Sequence, residues 1–256
     1  MRLSSAAVAA GYRLSTYDTL PSTNAQALVV ARNGERGPLW VVAREQTAGR
    51  GRRGNAWSSP PGNLYATLLL TDPAPPESAP QLSFTAVLAL HDAIVASAPA
   101  LREGLALKWP NDLLRNGKKL AGILIESERI ADALAVAIGI GVNCESHPAE
   151  TPYPATDLRE EGVAVTAAAL FEPLTGCMAQ RLTQWRRGAG FSEIRADWVA
   201  RSASLGGDIR ARLPDREIVG RGEGLDEHGR LLLRLPDGSL HAIAAGEVFP
   251  MTGGAA

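Results

Sequence analysis

Residues 49–54, GRGRRG, combine two residue types that are well suited to binding an anion. Glycine lets backbone N–H groups come close to a ligand, and arginine offers a planar, permanently charged fork for carboxylate or phosphate. Trp57 follows the stretch and could stack on a base. The pattern predicts a mobile basic loop that captures a nucleoside triphosphate and then closes over it.

The same letters also satisfy G-x-G-x-x-G, the dinucleotide-binding pattern, which requires a helix directly after the last glycine. The segment NAWSSPPGN follows instead, and its helix-breaking residues exclude that interpretation. An RNA-binding module that uses the same arginines remains an alternative, although the loop is short and the formal net charge of the chain is −1. An ordinary solvated surface loop is a further alternative.

A second group of chemically useful residues lies at 108–112, KWPND, and at Lys119. Proline and asparagine account for a turn, but they do not explain why a lysine and a carboxylate lie together. Ammonium groups can neutralise a polyanion during attack on phosphorus, and a carboxylate can orient or deprotonate an amine. Lys118 competes with Lys119 for this role because a one-residue slip on a strand reverses its facing.

Ser22, Thr23 and Asn24 open a predicted helix over 22–34, where residues of these types commonly act as N-caps. A helix start also gathers hydroxyl and N–H groups at one point, which suits a polar ligand ring. Gln46 ends the next predicted strand and is a candidate for the same ligand. Structural and binding roles are compatible here.

Periodicity and turn residues define the elements that must position these groups. Strands are predicted at 11–20, 39–45, 63–70, 105–112, 118–128 and 133–143, with the last two as a hairpin, and helices at 22–34, 81–99 and about 164–203. Residues 1–14 are expected to lead into the first strand. From Leu205, short alternating strands predict a small β-barrel. We therefore expect an α+β domain over 1–203 and a β-barrel domain over 204–256.

Three glycines interrupt the predicted strands 118–128 and 133–143, at Gly122, Gly139 and Gly141. Glycine inside a strand marks a close approach of backbone or ligand, or a β-bulge, which is a live alternative for Gly139. The ligand interpretation predicts that a bicyclic ring lies against the sheet.

The composition is that of a soluble protein with an ordinary core, at 45 % apolar and 21 % charged residues. The two cysteines are too few for a disulfide framework, so a reducing cytoplasm is expected. No segment is expected to reach the roughly 18 apolar residues of a membrane span.

Five motifs, PSTNAQA, EQTAGRGRRGNAWSSPPGNLYAT, LKWPNDLL, KKLAGILIE and IGIGVN, occur here in an order and spacing that resemble those of biotin protein ligases. The resemblance spans roughly residues 17–145, and the strands ending AAGEV resemble that family's SH3-like domain. It implies an α+β catalytic domain related to class II synthetases, with a mixed or antiparallel sheet flanked by helices. It also implies that biotin and MgATP give biotinyl-5′-AMP and pyrophosphate. A lysine of a biotin carboxyl carrier protein then accepts the biotin.

The resemblance also implies roles for individual residues. The catalytic set is Lys119, Arg50, Arg52 and Asp112. The biotin-binding set is Ser22, Thr23, Asn24, Gln46, Gly49, Arg50, Gly51, Arg52, Lys119, Gly122 and Gly139. The nucleotide-binding set is Arg52, Arg53, Trp57, Lys108, Asn111 and Asn143. Direct ligands of Mg²⁺ are not assigned.

The chain departs from the family pattern at Asn55, where arginine is common, and this places retention of the adenylate in question. Only about twenty residues precede the Ser-Thr-Asn motif, so a helix-turn-helix domain and DNA binding are not expected. Family members differ in oligomeric state, which leaves a homodimer open. A lipoate–protein ligase, which shares the catalytic fold, is the nearest rival function.

Overall fold

The computed structural model describes residues 1–151, 153–213 and 215–251. These residues form a seven-stranded sheet with helices on both faces and a separate five-stranded sheet. The expected α+β class with a mixed main sheet and a small C-terminal β domain is confirmed. The predicted domain boundary, at residue 204, falls in the connection between the last helix and the second sheet.

The main sheet has the strand order β1-β2-β3-β7-β6-β5-β4. Its strands are β1 Arg13–Leu20, β2 Leu39–Gln46, β3 Leu64–Thr71, β4 Leu105–Lys108, β5 Asp112–Arg115, β6 Lys118–Ile130 and β7 Ala133–Val142. Strands β1 and β2 pair in parallel and the other neighbours pair antiparallel. The expected hairpin of β6 and β7 is confirmed, whereas β5 was not predicted, because a four-residue strand gives too short a pattern.

Helices cover both faces of this sheet, and the burial of β2 shows why. The helices are α1 Ser5–Ala9, α2 Thr23–Arg32, α3 Leu82–Ser97, α4 Ala167–Trp185 and α5 Phe191–Val199. Trp40 and Val42 of β2 belong to the large core that contains α3 and α4, while Val41 and Ala43 belong to a second core beneath α2. The strand is apolar on both faces because each face packs against a helix.

Two expectations about helices need correction. Residues 1–14 contain a short helix, α1, whose first turn is capped by the Ser4 hydroxyl. Among the described residues, one helical stretch, Pro76–Ser97, is long and apolar enough to cross a membrane by length and composition, with a mean hydropathy of 1.3. However, 67 % of its most apolar window is buried inside the protein. It therefore has the properties of a core helix.

The second sheet has the order β11-β10-β9-β8-β12, with all neighbours antiparallel. Its strands are β8 Asp208–Arg212, β9 Glu217–Leu225, β10 Leu231–Arg234, β11 Leu240–Ile243 and β12 Glu247–Pro250. Alternate residues such as Ile209, Leu233 and Val248 are buried in the same large core as α3 and α4. The small sheet is thus packed onto the main body, and this contact brings β12 to the edge of the cavity described next.

Candidate active site

A single cavity of about 670 Å³ brings together the motifs that are separated in the sequence. It is lined by the start of α2, the end of β2, the basic loop, the turn between β4 and β5, the middles of β6 and β7, and residues of β12. Every residue in the three predicted sets lines it except Arg53. Arg53 is exposed and has a left-handed φ of 58° in a single turn of 3₁₀ helix.

One end of the cavity is lined by polar side chains. The backbone N–H of Thr23 donates to Oε1 of Gln46 over 2.8 Å, and the Thr23 hydroxyl donates to the same oxygen over 3.1 Å. The amide nitrogen of Gln46 donates to the Ser59 hydroxyl over 2.9 Å. Ser22 caps α2 and is buried. The helix start and the strand end therefore form one hydrogen-bonded group, as a polar ligand ring requires.

Asn24 continues this polar end and is held on both sides. Its Nδ2 donates to Oε2 of Glu126 over 2.8 Å and to the carbonyl of Leu124 over 3.2 Å. Its Oδ1 accepts from the Thr67 hydroxyl over 2.6 Å. A Cβ at Gly139 would lie 2.4 Å from this Oδ1. The close approach at Gly139 is thus made by Asn24, and the continuous pairing of β7 there excludes a β-bulge.

The other end of the cavity is strongly charged and is organised around Asp112. Its two carboxylate oxygens lie 2.7 Å from Nζ of Lys119 and 3.1 Å from Nζ of Lys108. Burial alone would raise the pKa of Asp112, but the two ammonium groups outweigh burial and hold it below its ordinary value. Lys108 is only 6 % exposed and also lies over the Tyr153 ring, 4.5 Å from its centroid. Two cations and one anion leave a net positive charge.

The choice between the two adjacent lysines is decided by the sheet. Lys119 faces the cavity and Asp112, whereas Lys118 faces away and pairs with Glu160 at the surface over 2.8 Å. The pairing of β5 with β6 shifts register next to this point, between Leu113 and Leu114. The strand therefore turns the ammonium group of Lys119 inward, as the family resemblance implies.

The arginines of the basic loop point to different partners. Arg50 forms an ion pair with Glu126 over 3.0 Å at the polar end. Arg52 donates to the Asn111 side chain over 3.4 Å and to the carbonyl of Gly246 over 3.3 Å. Burial lowers the pKa of Arg52, although the charges of Asp112 and Glu247 counteract it, and a guanidinium stays protonated at neutral pH. The loop thus spans the cavity from one end to the other.

Trp57 lies deeper in the cavity than stacking on a base at its entrance would require. A Cβ at Gly141 would lie 2.7 Å from the indole ring, and one at Gly122 would lie 3.4 Å from it. The Lys119 ammonium is 5.4 Å from the ring centroid. Gly141 therefore makes room for the indole of Trp57, whereas a Cβ at Gly122 would only contact it, and the sequence interpretation expected a ligand ring at both glycines.

Asn143 and Asn111 hold the walls of the cavity through backbone contacts. The Asn143 side chain donates to the carbonyl of Thr156 over 3.0 Å, and that of Asn111 donates to the carbonyl of Ile123 over 2.6 Å. Both side chains are buried. Asn111 therefore connects the turn before β5 to β6, and Asn143 connects the end of β7 to the loop at Thr156.

The C-terminal sheet contributes to the cavity in a way that sequence analysis missed. Three side chains of the main domain donate to backbone carbonyls of this sheet and its turns. The pairs are Arg52 with Gly246 at 3.3 Å, Lys108 with Val248 at 3.4 Å and Trp109 with Gly229 at 3.1 Å. Glu247 and Phe249 line the cavity. Acceptors in the backbone leave no mark on the residue types, so no sequence signal could have found them.

Within the described ranges, one group of side chains has the composition of a metal site, namely His147, Asp157 and Glu160. The two ring nitrogens of His147 face different carboxylates, Asp157 at 2.7 Å and Glu160 at 3.4 Å. The group is therefore held together by a hydrogen bond between His147 and Asp157 and a longer contact between His147 and Glu160. In the cavity, Asp112 is already paired with two ammonium groups, which makes it unsuitable as a ligand of Mg²⁺.

Comparisons with known proteins agree with this geometry. Residues 18–143 match the Biotin/lipoate A/B protein ligase family, and residues 204–250 match the Biotin protein ligase C terminal domain. The two domains are thus those of the biotin/lipoate protein ligase class.

Comparisons with individual proteins show which members of this class the chain resembles. The chain is 45 % identical over 240 residues to a biotin–[acetyl-CoA-carboxylase] ligase of Paracoccus denitrificans, covering 89 % of this chain and 96 % of that protein. It superposes on the Aquifex aeolicus biotin protein ligase in complex with biotin and ATP with a TM-score of 0.77 and 26 % identity, covering 93 % and 97 % of the two chains.

A third similar protein is the Leishmania major biotin protein ligase in complex with biotinyl-5-AMP, with a TM-score of 0.65 and 27 % identity, covering 91 % of this chain and 99 % of that one. The chain belongs to the biotin protein ligases.

Proposed function

We propose that this protein is an ATP-dependent ligase that activates biotin as biotinyl-5′-AMP and transfers the biotin to a lysine of a carrier protein. The observation that carries the proposal is that one cavity has an end lined by polar side chains and a cationic end. Biotin has a polar ring, which suits the polar end, and ATP is a polyanion, which suits the cationic end. Their reacting groups are a carboxylate and a phosphate. Similar proteins bind both ligands.

In the first step, a biotin carboxylate oxygen attacks the α-phosphorus of MgATP. The new bond is a mixed anhydride, and the bond to the β-phosphate breaks to release pyrophosphate. Two anions must approach each other, so fixed cations must lie where the charge develops. Arg50 and Arg52 on the loop and Lys119 on β6 supply them from different sides. Lys108 adds positive charge next to the triphosphate.

In the second step, the amine of the carrier lysine attacks the acyl carbon, an amide forms and AMP leaves. The Asp112 carboxylate can accept a hydrogen bond from that amine where the amine displaces Lys108 or Lys119, which hold its two oxygens. Its lowered pKa makes it a weak base, so orientation of the amine is favoured over proton abstraction. The loop over the cavity excludes water from the reactive anhydride.

The carrier partner follows from the name of the Paracoccus relative, which acts on acetyl-CoA carboxylase. The carrier of this chain is then the biotin carboxyl carrier protein of such an enzyme. A cytoplasmic location and a homodimer extend the proposal, and cell fractionation and sedimentation velocity test them. Mg²⁺ enters as the counterion of ATP.

The deciding experiment is ligand-dependent exchange of labelled pyrophosphate into ATP with biotin, lipoate or octanoate. Of these three acids, only biotin is expected to stimulate the exchange. Stimulation by lipoate would indicate a lipoate–protein ligase, and the absence of all stimulation together with RNA binding would indicate the non-catalytic alternative.

Two adjacent lysines provide a matched pair of variants for the same assay. Lys119→Ala is expected to reduce the rate by about 100-fold or more, because it removes a cation from the reacting centre. Lys118→Ala removes only a surface ion pair and should leave the rate within about twofold. Equal rates in the two variants would remove Lys119 from the proposed mechanism.

A further inference from the structure

Glu126 stands out because it lies between two parts of the cavity that sequence analysis treated separately. One oxygen, Oε2, accepts from Nδ2 of Asn24 over 2.8 Å and from Nη2 of Arg50 over 3.0 Å. Asn24 belongs to the polar end and Arg50 to the basic loop. A single carboxylate oxygen therefore connects the residue beside the ligand ring to the loop that closes over the cavity.

The position of Glu126 follows from strand geometry. Residues at i, i+2 and i+4 of a strand share a face, so Gly122, Leu124, Glu126 and Glu128 form one row on β6. The first two line the cavity, and the row continues beneath α2. Glu128 pairs with Arg32 at the far end of that helix. Glu126 is the first charged residue of this row after the two that line the cavity, and its side chain is 29 % exposed.

The contact leaves Arg50 able to bind a second anion. Only Nη2 of Arg50 is engaged, and among the described residues its other guanidinium nitrogens make no hydrogen bond. A guanidinium has five N–H donors in a fixed fork, so one edge can stay on Glu126 while another binds a carboxylate or phosphate oxygen. Glu126 thus fixes the orientation of Arg50 without occupying all of its hydrogen-bond donors.

We infer that Glu126 is a positioning residue that couples occupancy of the biotin ring site to the placement of Arg50 over the reacting carboxylate. The inference rests on the proposed function. Asn24 holds the shared oxygen in place, and a ring bound against Asn24 would hold that oxygen, and the arginine with it, more firmly. When the loop is open, the same oxygen loses one of its two donors. Recognition of biotin and closure of the loop therefore stabilise each other.

Glu126→Gln tests the coupling because it keeps the shape and removes the charge. The biotin KM is expected to rise by about 3- to 10-fold, the loss of one charge-assisted hydrogen bond at a half-buried site, while the ATP KM changes by less than about twofold. Glu128→Gln is the matched control, since it also breaks a Glu–Arg pair on the same face of β6. Its KM values should equal those of the wild type.

A second measurement does not depend on activity. Trypsin cleavage after Arg52 and Arg53, followed by mass spectrometry without ligands, should be faster in Glu126→Gln than in the wild type or in Glu128→Gln. If the wild type shows no biotin-dependent exchange, the proposed function fails. The cleavage assay still tests whether Glu126 holds Arg50 and the basic loop in place. Equal cleavage rates in all three proteins would overturn the inference.

A double-variant cycle separates coupling from general loosening. The effect of Glu126→Gln on the biotin KM should shrink to less than about twofold in an Arg50→Gln background, because the partner is already absent. Additive effects, or equal rises in the KM values for biotin and ATP, would contradict the role of Glu126. Denaturation curves for each variant show whether the fold is intact.

Discussion

Replacing Asp112 by asparagine should destabilise the protein more than any surface ion-pair variant. The substitution preserves the side-chain shape and removes the only negative charge between two ammonium groups at 2.7 and 3.1 Å. Lys119 can turn toward solvent, since its side chain is 28 % exposed. Lys108 cannot do so, because it is 6 % exposed and lies beneath β12. The cost of the variant therefore falls mainly on Lys108.

The magnitude follows from the cost of a buried charge left without its partner. At an effective dielectric constant of about 20, a pair at 3.1 Å attracts by about 5 kcal/mol before desolvation is subtracted. Removing one partner of a buried pair typically costs about 3–5 kcal/mol. Lys108 keeps the Tyr153 ring at 4.5 Å and the Val248 carbonyl at 3.4 Å as partial compensation. We therefore expect a loss of about 3 kcal/mol in the free energy of unfolding.

The pH dependence of this loss has a definite sign. The pKa of Asp112 is lower in the folded protein than in the unfolded chain, so its contribution is fully present above the unfolded value of about 3.9. The contribution disappears as the pH falls through the lowered folded value. The difference between wild type and variant should thus be constant from about pH 5 to 8 and should shrink below about pH 4.

Urea denaturation followed by tryptophan fluorescence measures this directly, at neutral pH and at several acid pH values. Glu172→Gln is the control, because its pair with Arg2 is highly exposed and should contribute less than about 1 kcal/mol. A loss below about 1 kcal/mol for Asp112→Asn at pH 7 would refute the account of a buried, charge-compensated lysine. So would a loss that stays the same in acid.

Two further predictions concern close packing and thiol reactivity. Gly139→Ala should cost about 1–3 kcal/mol and raise the biotin KM, because the new Cβ would lie 2.4 Å from Asn24, while Gly224→Ala, with nothing within 4 Å, should cost far less in the same denaturation assay. Burial raises the pKa of Cys144 to about 12, so alkylation at pH 8 followed by mass spectrometry should modify Cys177 first and leave Cys144 intact in the native protein.

Much of the fold could be predicted because its elements have strong local signals. The β6–β7 hairpin consists of long apolar runs bounded by turn residues, and the α2 start carries its own cap at Ser22. The helix α1 has a cap at Ser4 but only five residues, and β5 has only four, so neither shows a repeated apolar pattern and both were missed. Their formation depends on packing partners that are distant in the chain.

The candidate site shows the same division. Charged side chains in recognisable motifs, such as Asp112 and Lys119, were predicted as site residues, and they meet in one cavity. Sequence reasoning did not identify Glu126 and Thr67 as site residues, because a glutamate or threonine on a strand does not by itself indicate a functional site. The glycines were identified, but their partners were not: Asn24 fills the space at Gly139, and periodicity cannot reveal which atom approaches a glycine.

The three acceptors that the C-terminal sheet and its turns offer to Arg52, Lys108 and Trp109 are carbonyl oxygens. Substitutions at Gly246 and Val248 would act through packing, because a Cβ at Gly246 would lie 2.9 Å from the carbonyl oxygen of Arg212 and Val248 is fully buried. Inserting or deleting one residue between β11 and β12 would instead displace the oxygens that face Arg52 and Lys108. The small domain is therefore constrained in loop length as well as in residue identity, and length variants would uncouple it from the cationic end of the cavity.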